Sequence, residues 1–201
     1  MGRTPKVVED RREQILEAAL TVFAEKGYER ATNKDIARMA GITPGLIYHY
    51  FKSKQDVLKE AIEKYSPLTV IRSLTPEMLE LPVETFLRMM LEELLSVLES
   101  ERFGRLMRVF LPAAIHGGGT TPILFSAMRE ATAMLQGYFT RKMESGELRK
   151  ADPGLTTHLF LGGVMDLTLR RQVTRDPSVS GYTREQIVSA VLDLTLRGLK
   201  R

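Results

Sequence analysis

The chain has 201 residues, of which 43% are hydrophobic and 27% charged, a balance typical of a globular protein and not of a disordered polymer. It contains no cysteine, which excludes disulfides, Cys-ligated zinc and thiol catalysis. No apolar run approaches the roughly 18 residues of a membrane span, and no secretory signal follows the basic N-terminus, so we expect a cytoplasmic protein. The net charge is +4, and residues 1–54 hold ten Lys and Arg against seven Asp and Glu. This basic bias is weak, but a nucleic-acid-binding end would show it.

Helical periodicity begins near residue 15. The spacing of Ile15, Ala19 and Phe23 predicts a first helix with these side chains on one face. We expect Gly27 at the position that ends this helix, and Tyr28 folded back onto Phe23.

Two short helices are predicted next, each behind its own N-cap. Thr32 is expected to cap the first of them, with Asp35 at the third helical position, and Gly41 to end it. Thr43 is expected to cap the second, with Pro44 at the first helical position, where the missing N–H costs nothing.

The later helices are predicted from caps and apolar stripes. Ser53 is expected to cap a fourth helix, and Thr183 with Gln186 to form a capping box for the last one. Between them, longer helices are predicted from stripes within residues 83–98, 103–110, 124–138, 155–169 and 188–199. His116 and the three glycines behind it interrupt this series, and they lack the GK[ST] ending of a phosphate loop.

No segment alternates as a strand would, so we predict an all-α fold of about nine helices. Residues 1–54 are expected to form an N-terminal three-helix, helix-turn-helix domain. The fourth helix, 54–66, connects it to a larger helical domain, 67–201.

The spacing of residues 32–51 is that of a helix-turn-helix, with the turn at Ala40-Gly41-Ile42. One face of its second helix is expected to point outwards and to reach phosphates and base edges, through Thr43, Pro44, Gly45, Tyr48 and His49. The alternative is a helical hairpin that binds no nucleic acid.

Residues 12–62 resemble the tetracycline-repressor (TetR) family of bacterial transcription regulators. The similarity lies in Ile-Leu-Glu-Ala-Ala at 15–19, Lys26-Gly27-Tyr28, Asp35-Ile36-Ala37, Ala40-Gly41-Ile42 and Tyr-His-Tyr-Phe at 48–51, together with Phe23, Thr32, Gly45, Ser53-Lys54 and Leu58. The rest of the chain is similar to the family only in the number and length of its helices.

The resemblance implies a two-part protein that binds an operator with its first domain and a small effector with its second. It adds further DNA-contacting residues to those of the outer face: Leu46 and Tyr50 on the second helix, Thr32, Asn33 and Lys34 at the start of the supporting helix, and Lys54 at the start of the fourth. Arg3 and Lys6 are expected near a minor groove if the tail is ordered. The second helix has no Arg, Asn or Gln for bidentate base contacts, so DNA shape is expected to contribute to sequence recognition.

Methionine and phenylalanine are concentrated between residues 78 and 165. Unbranched, polarizable Met side chains suit a cavity that accepts hydrophobic ligands, although core filling is the commoner explanation for any single Met. The residues expected to line an effector pocket are Phe86, Met89, Met90, Phe103, Met107, Phe110, Met128 and Met134.

The last two long helices carry more apolar surface than one domain would leave exposed. We therefore expect a two-fold homodimer. Its interface is predicted to contain Leu155, Leu159, Gly162, Gly163, Val188, Val191, Leu192 and Leu199. The adjacent glycines indicate either close approach of a partner helix or a local bend.

The sequence thus predicts a DNA-binding transcriptional repressor that a small hydrophobic effector releases from double-stranded operator DNA, with no membrane partner. An all-α enzyme is the first alternative, but no nucleophile–base pair is present and the three histidines lie far apart, so neither a catalytic site nor a metal or cofactor is expected. A helical protein-interaction module is the second, and the polar outer face around Tyr48 argues against it.

Overall fold

A computed structural model describes residues 5–116 and 120–199 of the chain. Its described residues form α-helices and no strand, which confirms the all-α prediction. The helices are α1 Pro5–Lys26, α2 Asn33–Met39, α3 Pro44–Tyr50, α4 Lys54–Tyr65, α5 Leu68–Arg72, α6 Pro76–Leu79, α7 Val83–Leu98, α8 Glu101–His116, α9 Thr121–Glu144, α10 Pro153–Leu169 and α11 Arg184–Leu199. Two of them, α5 and α6, are one-turn helices in a proline-rich stretch from which the sequence predicted no helix.

The chain divides into two compact units. The first comprises Met1–Ser66 and Arg102–Phe125, and the second comprises Pro67–Glu101 and Ser126–Arg201. The first unit therefore contains α1–α4 and most of α8, so it is assembled from two separate stretches of the chain. The expected boundary near residue 66 stays a prediction.

In the first unit, α1 packs against α2 and α4, and α2 packs against α3. The buried side chains at the centre of these contacts come from all four helices and include Ile15, Phe23, Ile36, Ile47, Phe51 and Leu58. Phe23 and Tyr28 meet edge to face with ring centroids 5.2 Å apart, as the sequence predicted. Burying these side chains fixes how α2 and α3 sit on α1.

In the second unit, α7 packs against α5, α10 and α11, and α10 packs against α11. A π-helical turn, Arg170–Thr174, extends α10, and a 3₁₀ turn, Pro177–Val179, follows it. Glu99 at the end of α7 accepts hydrogen bonds from Arg171 and Arg184, at 3.1 and 2.8 Å. These ion pairs fix the segment between α10 and α11 to the end of α7.

Charged side chains join α8 to α1 and α4 within the first unit. Glu17 accepts from Arg105 at 2.5 Å and also pairs with Arg102, while Glu13 accepts from the Tyr65 hydroxyl at 2.7 Å. Burial opposes ionisation of Glu13, but hydrogen bonds from Lys64 and Tyr65 outweigh it and lower the pKa of this carboxyl. Glu13 and Glu17 of α1 are therefore both held by cations from other helices.

No helix among the described residues is both long enough and apolar enough to cross a membrane.

Candidate DNA-binding site and effector region

The helix-turn-helix is built by local hydrogen bonds that the sequence predicted. The amide N–H of Asp35 donates to the Thr32 hydroxyl at 3.2 Å, and the amide N–H of Thr32 donates to the Asp35 carboxylate at 3.1 Å. Lys26 and Thr32 donate to this carboxylate and lower the pKa of Asp35 to about 2. Gly41 takes a positive φ of 62° in the turn, where a side chain would be strained. The orientation of α3 is therefore set within a few residues.

Thr32 and Thr43 stand at the N-caps of the two short helices but differ in their bonding. Thr43 makes no side-chain capping hydrogen bond, whereas Thr32 does. Thr32→Ala is therefore expected to lower the free energy of unfolding by about 1 kcal/mol. Urea denaturation measures this loss.

The matched control is Thr43→Ala, for which a loss within about 0.5 kcal/mol is expected, since no cap is removed. Equal losses in the two variants would contradict this assignment.

The predicted outer face of α3 is exposed. The Tyr48 side chain is 61% exposed, and Thr43, Pro44, Gly45 and His49 are exposed as well. Leu46 is half-buried, so only part of its side chain is accessible. A tyrosine that projects from a short helix next to small residues can approach a groove without steric obstruction from its neighbours.

Tyr50 and Lys54 have other contacts than the sequence suggested. Tyr50 is buried, with 9% of the residue exposed, because it lies on the opposite side of α3 from Tyr48. The Lys54 ammonium donates to the main-chain oxygens of Tyr28 and Ala31 at 2.6 and 3.0 Å, and lies over the Tyr28 ring. A direct phosphate contact by Lys54 would require breaking these bonds, so in the free protein Lys54 holds the loop between α1 and α2.

The start of α2 carries the other predicted contacts. Thr32 and Lys34 are exposed. Asn33 is half-buried, and its side-chain oxygen has no hydrogen-bond partner within the described part of the chain. Arg3 lies outside the described residues, and only the main chain of Lys6 is described, as part of α1.

Arg12 anchors the far end of α3, which sequence reasoning missed. Its guanidinium donates to the Tyr50 main-chain oxygen at 3.1 Å and to Glu60 of α4 at 3.0 Å. It also lies 4.7 Å from the centre of the Phe51 ring. A cation at the carbonyl end of a helix is favourable electrostatically, and the fork of Arg12 links that end to α1 and α4.

Gln14 supports the turn in a similar way, since its side-chain amide donates to the Ala40 oxygen at 2.7 Å. Each of these contacts joins residues at least 26 positions apart in the chain. No local sequence pattern signals such a pair.

The residues predicted to line an effector pocket are divided between the two units. In the first unit, Phe103 and Phe110 are buried and Met107 is half-buried. The other five lie in the second unit, where Phe86 and Met90 are buried, Met89 and Met134 half-buried, and Met128 is 50% exposed. That these residues line one pocket stays a prediction.

A cleft of about 400 Å³ in the first unit is lined by residues 23–30 together with Arg108, Val109, Pro112 and Thr120. None of the predicted effector residues lines it. Within the described residues, no group of three or more His, Asp or Glu side chains is arranged to hold a metal ion.

The predicted dimer residues fall into two groups. On α10, Leu155 and Leu159 are 64% and 78% exposed, and Gly162 and Gly163 share their stripe. On α11, the buried residues are Val188, Leu192 and Leu199, while Val191 is half-buried. The prediction for Val188, Leu192 and Leu199 differs from the structure, because these three side chains pack inside their own unit. A large apolar side chain that α11 does expose is Leu194, at 76%.

Comparisons with known proteins agree with this architecture. Residues 15–61 match the model of bacterial regulatory proteins of the tetR family, and residues 85–198 match the C-terminal domain of AefR-like transcriptional repressors. The second match alone covers more than half of the chain. The chain therefore belongs to the TetR family of bacterial regulatory proteins, with an AefR-like C-terminal domain.

Among curated relatives, the HTH-type transcriptional regulator HbdR of Aromatoleum sp. (strain CIB) is 52% identical over 54 residues, which are 27% of this chain and 24% of HbdR. The matches to the first curated relatives span only about a quarter to a third of their length. Sequence similarity to these relatives is thus confined to a short segment.

Solved structures resemble the chain over nearly its whole length. SmeT of Stenotrophomonas maltophilia, in a complex with triclosan, gives a TM-score of 0.73 at 25% identity and covers 96% of this chain and 92% of its own. The regulator FadR of Bacillus subtilis, in complex with stearoyl-CoA, gives 0.71 at 23% identity and covers 92% and 98%. At this level of identity the likeness to FadR shows the fold alone.

Proposed function

We propose that the chain is a sequence-specific DNA-binding transcriptional repressor that leaves its operator when a small hydrophobic effector binds. The observation that carries the proposal is the exposed face of α3, where Tyr48 projects beside Gly45 and His49. Hydrogen bonds from α1 hold both the turn and the C-terminal end of α3 in place. Family membership supports it, and so does the similarity to SmeT, the repressor of a multidrug efflux pump, which has been solved in a complex with triclosan.

The proposed DNA contacts lie on two short helices. Tyr48 and His49 on α3 would reach base edges, while Thr32 and Lys34 at the start of α2 would contact phosphate, where helix N-termini favour anions. Residues 32–54 hold four Lys and Arg against one acidic residue. The binding is therefore expected to weaken as salt concentration rises.

We propose in addition that two copies bind one operator and that they dimerise through α10 and α11. The support is the exposed leucine stripe of α10 and Leu194 of α11, since monomeric proteins rarely leave such side chains together in water. Gly162 and Gly163 also support it. An added Cβ at either would meet no heavy atom within 4 Å, so nothing in the subunit itself requires glycine there.

Tyr48→Ala is expected to weaken operator binding by about tenfold or more, in line with about 1–3 kcal/mol for one base contact, while the fold is retained. The operator is first isolated by selecting bound fragments from genomic DNA, and gel shifts then compare the variants. Circular dichroism verifies that the helical content is unchanged.

Tyr182→Ala is the matched control, because Tyr182 is a 53% exposed tyrosine of the second unit. It should bind the operator as the wild type does. If Tyr48→Ala kept full operator affinity, the assignment of α3 as the DNA-recognition helix would be wrong.

A further inference from the structure

The hydroxyl of Tyr138 is buried and has no hydrogen-bond partner among the residues that the structure describes. Tyr138 lies on α9 with 0% of the residue exposed. Its ring stacks on Phe86 of α7, with ring centroids 4.1 Å apart. Buried polar groups are almost always hydrogen-bonded, and each exception requires an explanation. Phenylalanine would give the same stacking without an unpaired hydroxyl, so packing alone does not account for tyrosine here.

Two methionines share the helix faces of Tyr138 and Phe86. Met134 precedes Tyr138 by one turn on α9, and Met90 follows Phe86 by one turn on α7, so each pair shares a helix face. Met90 is buried and Met134 half-buried. Methionine side chains change conformation easily and adapt to a guest molecule. A ligand that enters here would meet these apolar groups and the Tyr138 hydroxyl, with the Lys142 ammonium 5.8 Å from the centre of the Tyr138 ring.

The charges around Tyr138 disfavour an anionic partner. Burial raises the pKa of the Tyr138 hydroxyl, and Glu147 and Glu80 raise it further, while Arg141 opposes them. The hydroxyl therefore stays protonated and can donate a hydrogen bond. The neighbouring Lys142 ammonium is bonded to Glu147, at 3.0 and 3.1 Å, so this cation is already paired.

We propose that Tyr138 is the hydrogen-bond anchor of the effector, and that the effector is a neutral hydrophobic molecule with a carbonyl oxygen that accepts from this hydroxyl. The inference rests on the proposed function, which gives this chain an effector. It narrows the ligand class from hydrophobic molecules in general to ketones, esters and amides with a large apolar part.

The test compares two probes of the same shape, 2-acetylnaphthalene and 2-isopropenylnaphthalene, by titration calorimetry on the full chain. Wild type should bind the ketone about tenfold more tightly, as expected for one hydrogen bond in a buried site. Tyr138→Phe should lose this preference, and without any probe its thermal unfolding temperature should be unchanged or higher, because an unpaired hydroxyl is removed. Tyr182→Phe, which removes the hydroxyl of an exposed tyrosine, should keep the preference.

The proposal is overturned if wild type binds neither probe or does not prefer the ketone. It is also overturned if Tyr138→Phe keeps the preference, or if it unfolds at a clearly lower temperature, since the hydroxyl would then have a structural partner such as water. Gel shifts of wild type on its operator without a probe separate this result from the proposed function. Operator binding with no ketone preference refutes the anchor alone, whereas absence of operator binding refutes the repressor itself.

Discussion

Leu159→Glu is expected to produce a folded monomer that binds the operator about 10²–10⁴-fold more weakly than the wild type. Leu159 is 78% exposed on α10, so a glutamate at this position is hydrated in the isolated subunit and leaves its core intact. In a dimer the same carboxylate would be buried against an apolar surface, which is strongly unfavourable. Two linked helix-turn-helix domains gain affinity because they bind both halves of the operator at once, and a monomer lacks this gain.

Analytical ultracentrifugation measures the assembly state and gel shifts measure operator affinity. Ala133→Glu, at an exposed position of α9, introduces the same charge outside the leucine stripe and should remain dimeric. Leu192→Glu should behave differently from both, because Leu192 is 2% exposed and its replacement should unfold the second unit. A dimeric Leu159→Glu would exclude α10 from the interface.

Arg12→Met is expected to lower operator affinity by about tenfold, equivalent to about 1.4 kcal/mol, although Arg12 is not among the proposed DNA contacts. The substitution keeps the apolar stem but removes the bonds to the Tyr50 oxygen and to Glu60. The C-terminal end of α3 would then lose its link to α4, and Tyr48 would be held less precisely. The expected loss in the free energy of unfolding is only about 1 kcal/mol, since the Arg12 side chain is 38% exposed and solvent weakens its ion pair.

Arg11→Met makes the same change of charge one residue earlier. Arg11 donates to Gln14 on its own helix, so its variant should lose little affinity. Arg12→Lys keeps the charge and should restore part of the binding. A merely destabilising effect of Arg12→Met would lower affinity for operator and non-operator DNA alike, whereas a positioning role lowers operator affinity more. Equal losses in Arg11→Met and Arg12→Met would show that only net charge matters.

The caps and turns of the DNA-binding segment could be predicted because their determinants are local. The reciprocal hydrogen bonds of Thr32 and Asp35 join residues three apart, and the φ of Gly41 depends on its own lack of a side chain. The outer face of α3 followed from the same helical spacing. These features require no knowledge of the rest of the fold.

The role of Lys54 could not be predicted in this way. A lysine at a helix start beside a helix-turn-helix has the same sequence signature whether it contacts a phosphate or the carbonyls of Tyr28 and Ala31. The choice depends on where the loop between α1 and α2 is placed, which is a tertiary property. Arg12 and Gln14 were missed for the same reason.

Apolar stripes on α11 were ambiguous for a different physical reason. Helical periodicity shows that Val188 and Leu192 are removed from water, but the same pattern arises from packing within a subunit and from packing between subunits. The structure buries them within the subunit and leaves Leu194 outside. Likewise, a concentration of Met and Phe indicates adaptable packing without assigning which residues line a cavity. That the Tyr138 hydroxyl has no partner among the described residues can be seen only in three dimensions.

The first unit includes a stretch of chain, Arg102–Phe125, that lies well beyond Ser66 in the sequence. During synthesis α1 therefore leaves the ribosome well before Arg102 and Arg105, the cations that pair with Glu17. These contacts join residues 85 and 88 positions apart, so the helix-turn-helix is expected to reach its final rigidity late, after α8 has emerged. A nascent chain stalled before residue 102 should therefore contain formed helices, but its helix-turn-helix should not yet be rigidly held.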